Sequence, residues 1–236
     1  MTLDSAQVDR PGRKRLGRVL VEARALSSDW APTFAVVDRA AFLPDLMWPF
    51  DMDAGRSVAV DRAGDPDAWY AAADSNIPIV TQWDDGEHSG TEPGRVSTSS
   101  SSMPSVVYAM LQTLDVDEAM RVVGTGTGET AGALTHRLDR RKVTTVEVDP
   151  SVSRQARERL RAAGLHPEVI AGDGFEGHAV AAPYDRVLAT VGVREIPRAW
   201  IEQTRPGGLI VAPWGTHFSA ILARNPRRSR LRGIAS

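Results

Sequence analysis

The chain of 236 residues contains no cysteine, which excludes disulfide staples and thiolate-ligated zinc. Its five histidines are scattered, and none stands at the spacing of a metal site, so no metal is expected. No run of about 18 apolar residues occurs, and no apolar core of a signal peptide follows the basic stretch Arg10 to Arg18. Neither sign of charge dominates: a formal net charge of −2 gives no global attraction to nucleic acid or to an anionic membrane. These absences point to a cytoplasmic protein with neither nucleic acid nor membrane as partner. What is present, 42% hydrophobic and 25% charged residues, suffices for one substantial core, so one structural domain with appendages is expected.

Composition divides the chain. Residues 1–50 read as a helical N-terminal cap: Leu16, Val19, Leu20 and Ala23 recur at helical spacing, and Trp30, Phe34, Phe42, Leu46, Trp48 and Phe50 indicate two short helices packed on a core. Residues 51–103 are poor in apolar runs and rich in Asp, Gly, Ser and Thr, as in "TQWDDGEHSGTEPGR" and "STSSSS". They read as a long loop ending in a flexible linker, and a connection of that length inside a compact domain is either disordered or functional. Residues 222–236 are dense in arginine and read as a basic, solvated tail.

Between these, residues 104–221 alternate regularly. A helix with Val106, Val107, Met110 and Leu111 precedes the short apolar run Val122-Val123, a glycine loop, and a helix with Ala131, Leu134 and Leu138. "VTTVEV" (143–148) reads as a buried strand, and Asp149-Pro150 as N-cap and first turn of a helix that buries Val152, Ala156 and Leu160 and stops at Gly164. Strands are expected at "EVIA" (168–171), "DRVLAT" (185–190) and "LIVAP" (209–213), the last after a Pro206-Gly207-Gly208 turn. Repeated βα units specify an α/β fold with a mostly parallel central sheet, with ligands at the carboxyl ends of its strands.

The glycine loop, "MRVVGTGTGETAG" (120–132), lies at such an end. Read from Gly126, "GTGETA" satisfies the G-x-G-x-x-G/A form of a dinucleotide site, and Glu147 stands about twenty residues on, where a strand-end carboxylate accepts from a ribose diol. Glycines admit a ligand close to the backbone, and the helix N-terminus offers unpaired N–H groups to an anion. Nicotinamide and adenosylmethionine cofactors both meet these demands, a ligand-free turn has the same composition, and a solvated charge would look the same at position 147. Asp173, in "AGDG" (171–174), would accept from the exocyclic amine of an adenine.

With "GDG", "APYDRV" and "RPGGLIVAPWG" in series, residues 97–218 resemble the class I S-adenosylmethionine-dependent methyltransferases, and among them the protein-L-isoaspartate O-methyltransferase family. Ser102-Met103-Pro104 is similar to that family's Ser-Gln-Pro, and "AAFLPD" to its Phe-Val-Pro segment. "DSNIPIVTQWDDGEHSG", the serine run and "MPSVVYAML" further resemble the subgroup that accompanies ATP-grasp ligases in ribosomal-peptide maturation.

The resemblance implies a Rossmann-like class I methyltransferase fold in which Gly124, Thr125, Gly126 and Gly128 line the methionine end of S-adenosyl-L-methionine, Glu147 meets the ribose, and Asp173 with Gly174 the adenine. Ser102 would stand near the acceptor carboxylate, although Ser before an apolar helix also suits an N-cap. Residues 104–221 become the cofactor-binding core, and residues 51–103 with the N-terminal helices a substrate loop and lid. The implied reaction is methyl transfer to an Asp or isoAsp carboxylate of a peptide or protein, with possible aspartimide formation afterwards. Such an acceptor is ionised at neutral pH, so no general base is required, and in-line placement and exclusion of water carry the catalysis.

Two features depart from the family. The strand before the loop is "RVVG", with no counterpart of the family's carboxylate, which predicts weakened cofactor binding. The arginine-rich end stands where a final hairpin strand belongs, which predicts a truncated core. A peptide-binding relic without activity and a nicotinamide oxidoreductase remain as alternatives, the latter without a Tyr-x-x-x-Lys pair after the loop.

Overall fold

The computed structural model describes residues 10–125, 127–138, 142–215, 220–224 and 232–235, with Thr125 and everything after Gly215 described by backbone alone. The chain divides into two compact units, one reaching to Tyr108 and one beginning at Ala109.

In the first unit, α1 (Pro11–Glu22) opens on a proline, whose missing N–H costs nothing at a helix start, and buries Leu16 and Leu20 together with Arg13. α2 (Ala31–Val36) follows, then a 3₁₀ turn (Arg39–Phe42) capped by the Asp38 carboxylate, which accepts from the Ala40 amide at 3.1 Å. Helix then gives way to β1 (Leu46–Asp51), so Leu46, Trp48 and Phe50 lie on a strand and not on a helix as their spacing had implied. Pro44 and Pro49 leave no room for a helix between them.

The region expected to be loop is largely built structure. β2 (Arg56–Ser57), β3 (Val60–Asp61), α3 (Pro66–Ala73), β4 (Ile79–Trp83) and β5 (Ser97–Ser101) all fall within it. The antiparallel sheet runs β2-β1-β4-β5, with β3 also on β1. β5 is "STSSS", the run read as a flexible linker; its order comes from pairing with β4 (Ile79 opposite Ser101, Val80 opposite Ser100) and not from its own side chains. Leu43, Met47, Trp69, Ala73 and Ile79 form the apolar centre.

Arginines supply much of the remaining cohesion. Arg10 donates to Asp38 at 2.8 Å and to Asp74 at 2.7 Å, and Arg13 donates to Asp38 at 3.0 Å and to the Val37 carbonyl at 2.8 Å. Burial opposes the Arg10 charge, but the hydrogen bonds to Asp74 and Asp38 outweigh it, so the guanidinium holds its proton more firmly than usual.

α4 (Pro104–Leu114) leads into the second unit, where the expected alternation is present: β6 (Val122–Thr125), α5 (Glu129–Leu138), β7 (Val143–Glu147), α6 (Pro150–Ala162), β8 (Glu168–Ala171), β9 (Tyr184–Leu188), α7 (Arg198–Gln203) and β10 (Thr204–Pro213). β10-β9-β6-β7-β8 are parallel neighbours, and the strand order reverses at β6. Pro206-Gly207-Gly208 lies within the bounds of β10, where the pairing jumps from Thr204 opposite Tyr184 to Leu209 opposite Arg186 and Gly207 has φ 85°, so the expected turn is present as a bulge in the strand.

Beyond β10, β11 (Ala220–Arg224) and β12 (Arg232–Ala235) pair antiparallel and extend the sheet edge. The region read as a solvated tail therefore contains a hairpin's strands, and the final hairpin thought missing is present. Its ladder is a backbone property that arginine-rich composition conceals.

Val123, Val146, Val187, Ala189, Trp200, Ile210 and Ala212 form the core of this unit. Arg186, buried on β9, donates to the Leu114 carbonyl at 2.5 Å and the Asp115 carbonyl at 2.7 Å, so it caps the end of α4; burial lowers its pKa. Asp185 accepts from the Arg121 amide at 2.6 Å and pairs with Arg205. The Asp-Arg of "APYDRV" is thus structural. Among the described residues, no helix is long and apolar enough to cross a membrane.

Candidate functional site

The strand order reverses at β6, and the carboxyl ends of the strands at such a reversal are the place where open α/β sheets bind ligands. Most of the expected cofactor residues lie there. Gly124 is within β6, and a Cβ at this position would come within 3.2 Å of the Leu188 carbonyl oxygen on β9, so only glycine fits without displacing that strand. Gly128 has φ 110°, a conformation that side chains disfavour, and it directs the chain into α5. Thr125 ends β6, and Gly126 lies outside the described residues.

Glu147 ends β7, and its carbonyl accepts from the Gly172 amide at 3.0 Å, which ties the β7 end to the segment after β8. One carboxylate oxygen, Oε1, accepts from the Asp149 amide at 3.1 Å. Burial raises the Glu147 pKa, the Asp149 amide opposes the rise, and the Asp149 charge adds to it. Asp173 caps the 3₁₀ turn Gly174–Glu176 through Oδ1, which accepts from the Phe175 amide at 2.8 Å. Gly124 and Gly174 line one small void of about 10 Å³ together with Val146, Leu188 and Trp200. That is room for about one water, so a larger ligand would lie along the open strand ends.

Two aromatic residues here were not singled out from sequence. Trp200 donates to the Gly174 carbonyl at 2.7 Å, and Phe175 stacks on Trp200 with ring centroids 6.2 Å apart and planes at 15°. Phe175 is 49% exposed, an apolar face presented beside Asp173. An aromatic next to "GDG" was the available signal.

The β6 residues Val122 and Val123 are both buried, and β6 carries no carboxylate. A cleft of about 430 Å³, lined by Arg121, Lys142, His166, Glu168 and Tyr184 among others, opens at the opposite, amino-terminal ends of the strands, away from every expected site residue.

Ser102 belongs to the first unit, between β5 and α4. It is not the helix N-cap: the Met103 carbonyl accepts from the Val106 and Val107 amides at 3.0 and 3.1 Å, which puts Met103 at that position. The capping acceptor is Asn76, whose Oδ1 takes the Ser105 amide at 2.9 Å. Among the described residues, no hydrogen bond to the Ser102 hydroxyl is present.

A parallel sheet that reverses at β6, with a glycine loop and two acidic residues at its carboxyl ends, is the architecture of a class I methyltransferase. Solved structures bear out the fold. A protein-L-isoaspartate O-methyltransferase matches with a TM-score of 0.68 at 24% identity, over 95% of this chain and 63% of its own. A Plasmodium falciparum structure assigned to the same enzymes, in complex with S-adenosyl-L-homocysteine, matches with a TM-score of 0.66 at 10% identity, over 94% of each chain. The model of the Protein-L-isoaspartate(D-aspartate) O-methyltransferase (PCMT) family matches residues 83–231, and the chain belongs to that family. Relatives named protein-L-isoaspartate O-methyltransferase include one from Thermococcus onnurineus, 39% identical over 120 residues (49% of this chain, 54% of that one). Another, from Rhodospirillum rubrum, is 39% identical over 123 residues (50% and 55%). The chain spans about half the length of the curated relatives it matches.

Proposed function

We propose that this protein is an S-adenosyl-L-methionine-dependent carboxyl O-methyltransferase acting on an Asp or isoAsp carboxylate of a peptide or protein. The observation that carries the proposal is the placement of Gly124, Glu147 and Asp173 at, or just beyond, the ends of the adjacent parallel strands β6, β7 and β8. The residues fit an adenosyl cofactor. Glu147 would turn its carboxylate to the ribose hydroxyls, Asp173 keeps Oδ2 for the adenine amine, and Phe175 offers a flat apolar face to the base. Thr125, Gly126, Gly128 and Gly174 would complete the cradle.

When bound, the cofactor supplies an electrophilic methyl group on a positively charged sulfur. The protein's part is binding and placement. The acceptor carboxylate is already ionised at neutral pH, so no side chain has to remove a proton from it, and the role that the family resemblance gives Ser102 is to orient it. The strand before the loop lacks a carboxylate for the methionine ammonium, so cofactor affinity below the family's is expected. Family membership favours neither an oxidoreductase nor a binding relic.

A finer assignment, modification of an Asp side chain in a ribosomal precursor peptide, is supported by residues 74–90 and the loop that follows them. Asp84 clasps this loop by accepting from the Arg95 and Val96 amides at 3.0 and 2.8 Å, while Trp48 donates to the Thr91 carbonyl at 2.8 Å. The insert is built structure, as a surface selecting a particular peptide would be. Incubating the full chain with S-adenosyl-L-methionine and either an isoaspartyl peptide or its Asp counterpart, read by mass spectrometry, tests both levels. A gain of one methylene on either peptide is expected. No gain on any Asp or isoAsp peptide would sink the activity, and a gain on isoaspartyl peptides alone would sink the finer assignment.

A further inference from the structure

Arg39 opens the 3₁₀ turn of the first unit and is only 3% exposed. Its guanidinium reaches into two separate stretches of chain. Nε donates to the Ser101 hydroxyl at 3.0 Å, and Nη2 donates to the carbonyls of Ile77 at 3.0 Å, Ser102 at 3.1 Å and Ser101 at 3.2 Å. Nη1 donates to the Ser75 carbonyl at 3.2 Å. Asn76, between Ser75 and Ile77, caps α4 just after Ser102. One side chain thus ties the 75–77 turn to Ser101 and Ser102, and the same turn fixes the first turn of the following helix.

Buried charges are poor sources of net stability, because desolvation offsets most of what they gain. What a planar fork of donors provides is geometry: each N–H has a set direction, and a lysine ammonium cannot span the same acceptors. Here the acceptors are backbone carbonyls on either side of a serine whose own hydroxyl is unengaged among the described residues.

We propose that Arg39 is a positioning residue for Ser102. By locking the backbone at Ser101 and Ser102 it holds the Ser102 hydroxyl in the direction needed to orient an acceptor carboxylate. The inference rests on the role given to Ser102 above.

The test compares wild type, Arg39→Lys, Ser102→Ala and the double variant for fold by circular dichroism, S-adenosylhomocysteine affinity by calorimetry, methyl-transfer kinetics, and amide hydrogen exchange. Arg39→Lys is expected to fold and bind S-adenosylhomocysteine as wild type does, while kcat falls about tenfold or more and KM for the peptide changes less. Exchange at the Ser101, Ser102, Met103 and Ser105 amides should rise about tenfold. The double variant should be no slower than Ser102→Ala, because both changes remove the same contribution. Additive losses, or unchanged kcat and exchange in folded Arg39→Lys, would overturn the inference. If Arg39→Lys does not fold, Ser101→Ala removes the Nε contact and leaves the guanidinium in place. A drop in kcat and faster exchange at the same amides then support the proposal, and no change overturns it. An inactive wild-type chain would instead refute the proposed activity, leaving the exchange data to decide whether Arg39 orders the Ser102 segment.

Discussion

Each of the two units has its own internal physics. The second is a sheet whose central strands are buried along most of their length, as in Val143–Glu147 and Ile210–Pro213, with Ile210, Val211 and Ala212 fully buried. The first has short strands and a modest apolar centre, and relies on arginines that reach acceptors far away in sequence: Arg10 to Asp74, Arg13 to Asp38, and Arg39 to Ser101. Apolar burial is non-directional and tolerates small changes, whereas a buried charge depends on every partner being in place.

Removing a charge partner should therefore have the largest effect. Asp38→Ala leaves Arg13 buried without its carboxylate and is expected to lower stability by about 3–5 kcal/mol in urea denaturation. A loss below about 1 kcal/mol would mean that the network contributes little beyond surface ion pairs. In the second unit, Ile210→Val removes one buried methyl group from a fully buried site and should cost only about 0.5–1.5 kcal/mol. Equal losses from the two changes would erase the contrast.

A smaller effect should appear at Glu147, with opposite sign. Because burial raises its pKa, the protonated form is favoured in the folded state. Its favourable contribution is full below the unfolded value of 4.5 and is lost as pH rises through the raised folded value. At neutral pH the ionised side chain is a liability, so Glu147→Gln should melt slightly higher than wild type there, and the gap should close as pH falls towards 4.5. The same substitution should weaken S-adenosylhomocysteine binding, and wild-type affinity should fall as Glu147 is protonated. A variant that is less stable at neutral pH would refute this.

The smallest change is expected at the exposed loop clasp. Backbone N–H groups of Arg95 and Val96 lower the Asp84 pKa, so this contribution is present above 3.8 and is lost as pH falls through the lowered value. Asp84→Asn should raise relative hydrogen exchange at those two amides while leaving the melting temperature nearly unchanged. A large drop in melting temperature would show that the loop is part of the core.

How much could be read from sequence follows the same division. In the second unit, Asp149-Pro150 opens α6 and Glu168–Ala171 is a strand, as expected, because the signals are local: a cap, a proline at the first helical position, a β-branched run. In the first, residues 46–50 carry helical spacing but lie on a strand, and Ser97–Ser101 has the composition of a linker but is a strand too, since a serine-rich strand is made by its neighbour's ladder. The hairpin strand Arg232–Ala235 was hidden by arginine for the same reason. The glycine loop, Glu147 and Asp173 are visible as residue types at set spacings and Phe175 is marked only by its place after "GDG", whereas Arg39 is not visible, because nothing local distinguishes a buried arginine.

The sequence by itself determined the βα alternation, the glycine loop and the acidic strand ends, because each depends on residues adjacent along the chain. Tertiary structure alone decided that Arg39 grips Ser101 and Ser102 and that Asn76, not Ser102, caps α4. These contacts join residues distant in the chain, and which partners meet depends on how the backbone folds back.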